Sequence, residues 1–399
     1  MAETFRILTL NQISKIGLER FPPERYTVGG KLPDPDAILV RSQDMHSMEI
    51  PAQVKAIGRA GAGVNNIPVG KMSARGVPVF NAPGANANAV KELVLAGLLI
   101  AARNLLPAMK FVDGLKGDDK TIDRTVEDGK KAFAGIELPR RTLGVVGLGK
   151  IGSLVADAAI KLGMDVLGYD PHITVEAAWS IPSSVKKARS IEEVLRGSEF
   201  VTLHVPLLDA TRGLINAERL RLMKEGAILL NFSRDGVIDN DAILEGLASG
   251  RLGAYVCDFP AQKLIGHPRV VALPHLGAST REAEDNCAVM VVDQVRDFLE
   301  NGNIVNAVNL PDVVMGRESP YRLGIANANV PRMVGQMSAV LGDARLNIHN
   351  MLNKSKGEMA YTLVDVDSPA TPDVIGKIAA IKGVLAVRYL PADSAGAHG

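Results

Sequence analysis

A glycine-rich turn, a carboxylate, an arginine and a histidine carry the chemistry that can be read from this chain. Gly147-Leu148-Gly149-Lys150-Ile151-Gly152 fits G-x-G-x-x-G. It follows an apolar run at 142–146 and opens a segment in which Ile151, Leu154, Val155, Ala158 and Leu162 recur at helical spacing. In that context the glycines allow a tight turn, let the backbone approach a pyrophosphate, and let helix and strand pack closely. Free N–H groups at the helix start then hold phosphate oxygens. Asp170 ends the next apolar run, where a carboxylate accepts both ribose hydroxyls and repels a 2′-phosphate, so NAD is expected over NADP.

Arg234, in Asn231-Phe232-Ser233-Arg234, and His275, in Leu273-Pro274-His275, each stand just past an apolar run. Taken singly, Arg234 reads equally as a surface ion-pair partner and His275 as a packed loop residue. Past the same sheet edge they form a set. The arginine fork suits a carboxylate and an adjacent C2 oxygen, and the imidazole exchanges a hydroxyl proton near neutral pH. The expected chemistry is hydride transfer between NAD and a small 2-hydroxy acid. His204, Val205 and Pro206 end another apolar run and are candidate linings of the nucleotide cleft.

These residues need a scaffold of alternating strands and helices. Short apolar runs at 7–10, 37–40, 54–58 and 77–80 predict a small α/β unit with a parallel sheet. A buried helix is expected over 87–104. Six strands follow, at 142–146, 165–169, 200–205, 227–232, 254–259 and 270–274, matching a doubly wound sheet. Ser279-Thr280-Arg281-Glu282 reads as a capping box opening a helix to Asn301. Residues 309–313 read as a linker. The last unit follows the order strand 321–326, helix 331–341, strands 346–353 and 359–366, helix 372–381, strand 384–389. That is a βαββαβ pattern, with Thr371 as N-cap and Pro372 in the first turn.

Composition narrows the function. The 399 residues carry 45 basic and 44 acidic side chains, for a formal charge of +1. Such balance lacks the cationic surface of a general nucleic-acid binder, so no nucleic-acid partner is expected. Hydrophobic residues reach 47% and aromatics only 4%, so aliphatic side chains must fill the cores. Cys257 and Cys287 suggest neither a disulfide framework nor a metal site. The opening MAETFRILTL shows no signal-peptide regions, and the greasiest stretch, 93–102, is about half a membrane span. A cytoplasmic protein with no membrane partner is expected.

The stretches IGRAGAGVNN (57–66), NAPGANAN (81–88), GLGKIG, NFSRDG (231–236) and LPHLGAST (273–280) resemble the D-3-phosphoglycerate dehydrogenases of the D-isomer-specific 2-hydroxyacid dehydrogenase family. The resemblance covers nearly the whole chain and is nearest the short bacterial form with a C-terminal ACT domain. It implies two Rossmann-like doubly wound domains plus an ACT-like βαββαβ domain. The substrate-binding domain would be discontinuous, 1–85 with 277–310, around an NAD-binding domain at 86–276, with the ACT-like domain at 320–392. The implied reaction is NAD-dependent oxidation of 3-phosphoglycerate at the start of serine biosynthesis. Arg41, Ser42, Arg59, Ala62 and Gly63 are the implied substrate contacts. Gly147, Gly149, Lys150, Ile151, Gly152, Asp170 and Asp258 are the implied cofactor contacts, Asp258 on the nicotinamide side. The ACT resemblance implies L-serine as effector at Asn327, Asn329 and Asn347, and a homodimer or homotetramer.

Two departures from the family pattern stand out. The glutamate that pairs with the catalytic imidazole is replaced by Gln262, which is expected to orient His275 by hydrogen bonding without stabilising its charge. The effector turn, usually Asn-x-Pro-Gly, reads Asn329-Val330-Pro331-Arg332. Two other readings remain at this stage: a glyoxylate or hydroxypyruvate reductase, and an NAD(H) sensor without catalysis. A phosphate-free substrate would not require both Arg41 and Arg59.

Overall fold

The computed structural model describes residues 4–392. Two compact units divide the chain: Ala87–Thr280 forms one, and the segments up to Asn86 and from Arg281 form the other.

The flanking unit begins with β1 (Phe5–Leu10), β2 (Tyr26–Gly29), β3 (Ala37–Val40), β4 (Ala56–Arg59) and β5 (Val79–Phe80). They form one parallel sheet in the order β2-β1-β3-β4-β5. The order reverses between β1 and β3, where an open α/β sheet leaves a crevice at its carboxyl edge. β2 was not expected from sequence, because Tyr26-Thr27-Val28-Gly29 is a short run hemmed by turn residues. The apolar runs of β3 and β4 are almost wholly buried, as strands covered on both faces must be. The 21-residue helix Arg281–Asn301 covers one face. It presses against β4 at Gly58, where a Cβ would sit 2.8 Å from both Leu39 and Val291. The helix starts at Arg281, so Thr280 and not Ser279 precedes it directly.

The Ala87–Thr280 unit carries β6 (Thr142–Val146), β7 (Asp165–Tyr169), β8 (Lys186–Lys187), β9 (Phe200–Leu203), β10 (Ala227–Asn231), β11 (Leu252–Cys257) and β12 (Val270–Ala272). Their order is β12-β11-β10-β9-β6-β7-β8, all parallel. Renumbered within the unit this is 3-2-1-4-5-6 with a seventh strand added. Six strands were expected, and β8 escaped because two exposed lysines carry no apolar signal. Helix Ala87–Ala102 buries Val90, Val94 and Leu98 against this sheet, each worth about 1.5–3 kcal/mol relative to exposure. Two further helices, Leu105–Asp113 and Asp119–Gly129, have no buried residue and were not foreseen.

The chain ends in β13 (Tyr321–Ala328), β14 (Ile348–Lys356), β15 (Met359–Val366) and β16 (Val384–Pro391), antiparallel in the order β14-β15-β13-β16. Helices Met333–Asp343 and Pro372–Ala379 cover one face, with Leu323, Ile325, Met337, Leu341 and Ile378 buried between. Thr371 caps the second helix by accepting from the Val374 N–H. The other face does not stand apart. Ala326, Tyr361 and Leu363 share a core with Phe298, Leu299 and Ile304. The presumed linker is part of that structure: Ile304 bridges Val313, Leu310 is buried, and Asn309 hydrogen-bonds the backbone at Val77 and Val79.

Candidate active site

In the Ala87–Thr280 unit the glycine turn lies between the end of β6 and helix Lys150–Lys161. Gly147 has φ +91°, and a Cβ there would lie 2.5 Å from the His204 carbonyl oxygen, so turn and neighbouring strand end meet backbone to backbone. A Cβ on Gly152 would collide with the Gly147 carbonyl. A Cβ on Gly149, the helix N-cap, would meet nothing within 4 Å. Two glycines are therefore required by packing and the third faces open space at a helix N-terminus. That is the cradle a pyrophosphate needs. Asp170 accepts from the Leu148 and His172 N–H groups, both at 2.9 Å, which ties the end of β7 to the turn. Its acceptor sites suit ribose hydroxyls, so the residues fit a dinucleotide. Lys150 and Ile151 open the helix, Lys150 exposed and Ile151 half-buried.

His204, just past β9, is half-buried. Its Nε2 shares a hydrogen bond with Thr202 Oγ1 at 3.0 Å, and its buried Nδ1 has no partner among the described residues. Burial drives the imidazole down to about 3, so the ring is neutral. Val205 and Pro206 continue along the same strand end.

Three adjacent strands deliver the polar set. At the end of β10, the buried Asn231 accepts from the Ser233 N–H and hydroxyl, and donates to the Arg234 carbonyl at 2.9 Å. This amide shapes the loop that presents the exposed Arg234 guanidinium, which donates to the Ser233 carbonyl at 2.6 Å. Past β12, His275 is exposed, with a left-handed backbone at φ +59°. Such a conformation in a non-glycine residue costs energy and persists only where surroundings impose it. Asp258, past β11 and 1% exposed, supplies the imposition by accepting from the Leu276 and Gly277 N–H groups at 2.7 and 2.8 Å. Both oxygens of Asp258 are thereby engaged with the His275 loop, which gives this carboxylate a positioning task. Phe259 packs against the imidazole with ring centroids 4.8 Å apart. Gln262 is exposed and makes no hydrogen bond to His275 among the described residues, contrary to expectation.

In the flanking unit, Arg41 and Arg59 stand at the carboxyl ends of β3 and β4. Arg59 Nε donates to the Arg41 carbonyl at 3.0 Å, and Gly61 leaves the space its guanidinium fills. Arg41 Nη2 meets Glu284 Oε1 at 2.6 Å. Asn11, at the end of β1, accepts from the Ser42 and Gln43 N–H groups. Asn66 donates to the Arg41 and Gln43 carbonyls. Ala62 accepts from the Asn81 amide, and Gly63 is half-buried beside it. Asn11, Asn66 and Glu284 were missed from sequence. Only a polar residue directly after an apolar run could have signalled Asn11.

Of the expected effector residues, Asn327 is buried, with its Nδ2 donating to the Ala328 carbonyl and its Oδ1 without a partner among the described residues. Asn329 donates to the Gly357 carbonyl, and Asn347 donates through its backbone N–H to the Asp367 carboxylate. Arg332 adopts φ +71° where the family turn has glycine. No helix among the described residues is long and apolar enough to cross a membrane.

Residues 98–277 match the sequence model of a family described as D-isomer specific 2-hydroxyacid dehydrogenase, NAD binding domain. The chain is 32% identical to a D-3-phosphoglycerate dehydrogenase of Haemophilus influenzae, across 86% of this chain and 83% of that one. It is 34% identical to the D-3-phosphoglycerate dehydrogenase of Methanocaldococcus jannaschii across 84% of this chain, but spans only 62% of that relative's length. Among solved structures, the TT0316 protein of Thermus thermophilus matches with a TM-score of 0.63 at 28% identity, covering 76% of this chain and 99% of that one.

Proposed function

Since the chain belongs to the D-isomer-specific 2-hydroxyacid dehydrogenase family, we propose that it oxidises D-3-phosphoglycerate to 3-phosphohydroxypyruvate with NAD. The observation that carries this reading is the convergence of Arg234, Asp258 and His275 at the ends of the adjacent strands β10, β11 and β12. Arg234 pairs with the substrate carboxylate and polarises the C2 oxygen. His275 takes the C2 hydroxyl proton as the C2 hydride departs. NAD, when bound, accepts that hydride. Gly147, Gly149 and Gly152 shape the turn, Lys150 and Ile151 begin the helix whose N–H groups hold the pyrophosphate, and Asp170 takes the ribose.

In the flanking unit Arg41 and Arg59, with Ser42 and the Ala62-Gly63 backbone, supply the phosphate contacts. Names borne by the relatives support the phosphorylated substrate, and serine biosynthesis is the corresponding pathway. The antiparallel sheet with its two helices has the strand order of an ACT-like domain, with Asn327, Asn329 and Asn347 as its effector residues. L-serine is the proposed effector, and a homodimer or homotetramer the proposed assembly. A second reading, reduction of glyoxylate or hydroxypyruvate, is favoured by one observation: Glu284 already neutralises Arg41.

The test is NADH consumption with phosphohydroxypyruvate beside glyoxylate, with and without L-serine. The proposal expects kcat/KM for the phosphorylated substrate to exceed that for glyoxylate by about 100-fold or more. Equal turnover of both would move the assignment to the second reading. NADH binding without turnover of either would leave a sensor.

A further inference from the structure

The acidic first turns of helix Arg281–Asn301 are fastened to the loops that follow β1 and β3. Ser14 donates to Asp285 at 2.5 Å, and Arg41 Nη2 donates to Glu284 at 2.6 Å. Among the described residues no other side chain or carbonyl takes Nε or Nη1 of Arg41, so one edge of its fork is held and the other is open. The pair is half-buried, with side-chain exposures of 35% and 42%. Cys287, one turn further along the helix, reports how tightly the charges gather. Burial pushes its thiol up, Arg59 and Arg41 pull it down, and Glu284 pushes it up again.

We propose that Glu284 determines how strongly this strand-end pocket takes a phosphoryl group, by acting as the fixed counter-charge of Arg41. The inference rests on the reading of Arg41 and Arg59 as the anion contacts. Glu284 orients the guanidinium through one nitrogen, and in doing so cancels its net charge. An incoming dianion at the open edge then meets a carboxylate on the far side of the same planar group. Across a partly solvated guanidinium such repulsion is weak but present, on the order of a factor of five in affinity. Glu284 therefore trades affinity for orientation. A monoanionic substrate without phosphate is penalised less, so the carboxylate narrows the margin between phosphorylated and plain 2-keto acids.

The test is titration of inorganic phosphate into the full-length chain by calorimetry, for the unmodified protein, Glu284→Gln, Arg41→Met and the double variant. Glutamine keeps an oxygen for the guanidinium and removes only the charge. The proposal expects Glu284→Gln to bind phosphate about five-fold more tightly, and expects this gain to vanish in the Arg41→Met background. With phosphohydroxypyruvate the change should fall on KM, lowered to a similar degree, and not on kcat. Unchanged or weaker phosphate binding in Glu284→Gln would overturn the proposal, as would a gain that survives loss of Arg41. Failure of the dehydrogenase reading looks different: phosphohydroxypyruvate would not be turned over, while the phosphate titrations would still show the Glu284 effect.

Discussion

Asp258 accepts a hydrogen bond from the Leu276 N–H at 2.7 Å, immediately after His275. Its second oxygen takes the Gly277 N–H. A buried carboxylate between two backbone donors is worth roughly 1.5–3 kcal/mol per bond, enough to hold His275 in its left-handed backbone. Asp258→Asn keeps one acceptor and turns an NH2 group toward the other donor. We expect kcat to fall about 100-fold, as a displacement near 1 Å at a reacting group would cause. NADH affinity, measured by fluorescence, should change much less. A kcat within a factor of three of the unmodified protein would show that the loop keeps its shape without this residue.

The glycine turn separates folding from binding. Gly152→Ala forces a methyl into the Gly147 carbonyl, and should lower unfolding stability by about 1–3 kcal/mol in a urea melt. Gly149→Ala adds a methyl to open space, so its melt should match the unmodified protein. Its NAD affinity should drop at least about 10-fold, because the methyl occupies the pyrophosphate's approach. Equal NAD affinity in Gly149→Ala would place the phosphates elsewhere.

Periodicity made the central scaffold legible, and the limits of that legibility are physical. Apolar runs buried on both faces announce themselves, and β6 and β7 fall within the ranges read from sequence. β8 is two exposed lysines that pair only because β7 offers an edge, and no local signal marks them. The glycine roles were readable because each follows from a spacing. The duties of Asn231 and Asp258 were not, because both act on backbone groups brought near by the strand order. Gln262 shows the converse. Its place in the family pattern promised a bond to His275, yet the side chain is exposed and without that bond. Residues 309–313 looked like a linker because polar and proline residues dominate them, while the apolar few insert into a core.

The neutral His204, half-buried with its Nδ1 wholly enclosed, gives the fold an acid sensitivity of definite sign. Its folded value of about 3 lies below the ordinary histidine value of 6.5. Between these the unfolded chain binds a proton that the folded chain refuses, so stability falls as pH drops below 6.5. The limiting slope is about 1.4 kcal/mol per pH unit from this one group. His204→Gln, which keeps a polar partner for Thr202, should lose that slope. Urea melts at pH 6.5 and 5.0 should show the variant destabilised by about 1–2 kcal/mol less than the unmodified protein over that interval. Parallel losses would assign the acid sensitivity to other groups.

Arg332 carries a backbone that glycine would hold without strain, at φ +71° directly before helix Met333–Asp343. Arg332→Gly relieves the left-handed cost, partly offset by the greater freedom of glycine in the unfolded chain. The net expectation is a gain of about 0.5–1 kcal/mol. The same variant restores the family's Asn-x-Pro-Gly turn, so inhibition by L-serine should strengthen if the turn limits effector binding. A destabilised variant would mean that the arginine side chain, and not its backbone, earns its place.

The C-terminal sheet closes the end of helix Arg281–Asn301. Arg388 donates to the carbonyls of Phe298 and Leu299, both at 2.8 Å, and its guanidinium lies 4.5 Å from the Phe298 ring centroid. Arg322, wholly buried in a two-point pair with Asp365, donates to the Asn301 carbonyl, and the Tyr361 hydroxyl donates to that of Gly302. Helix C-terminal carbonyls lack partners within the helix, and here β13, β15 and β16 provide them. Arg388→Met keeps the aliphatic stem over Phe298 and removes the side-chain donor from both carbonyls, leaving that of Phe298 the Gly302 N–H, at a cost of about 1–3 kcal/mol. If the sheet and the helix unfold as one cooperative unit, Arg388→Met should shift a single urea transition, with hydrogen exchange quickening in both elements together. Were the sheet an independently stable appendage, the variant would split the transition in two and leave exchange in helix Arg281–Asn301 untouched.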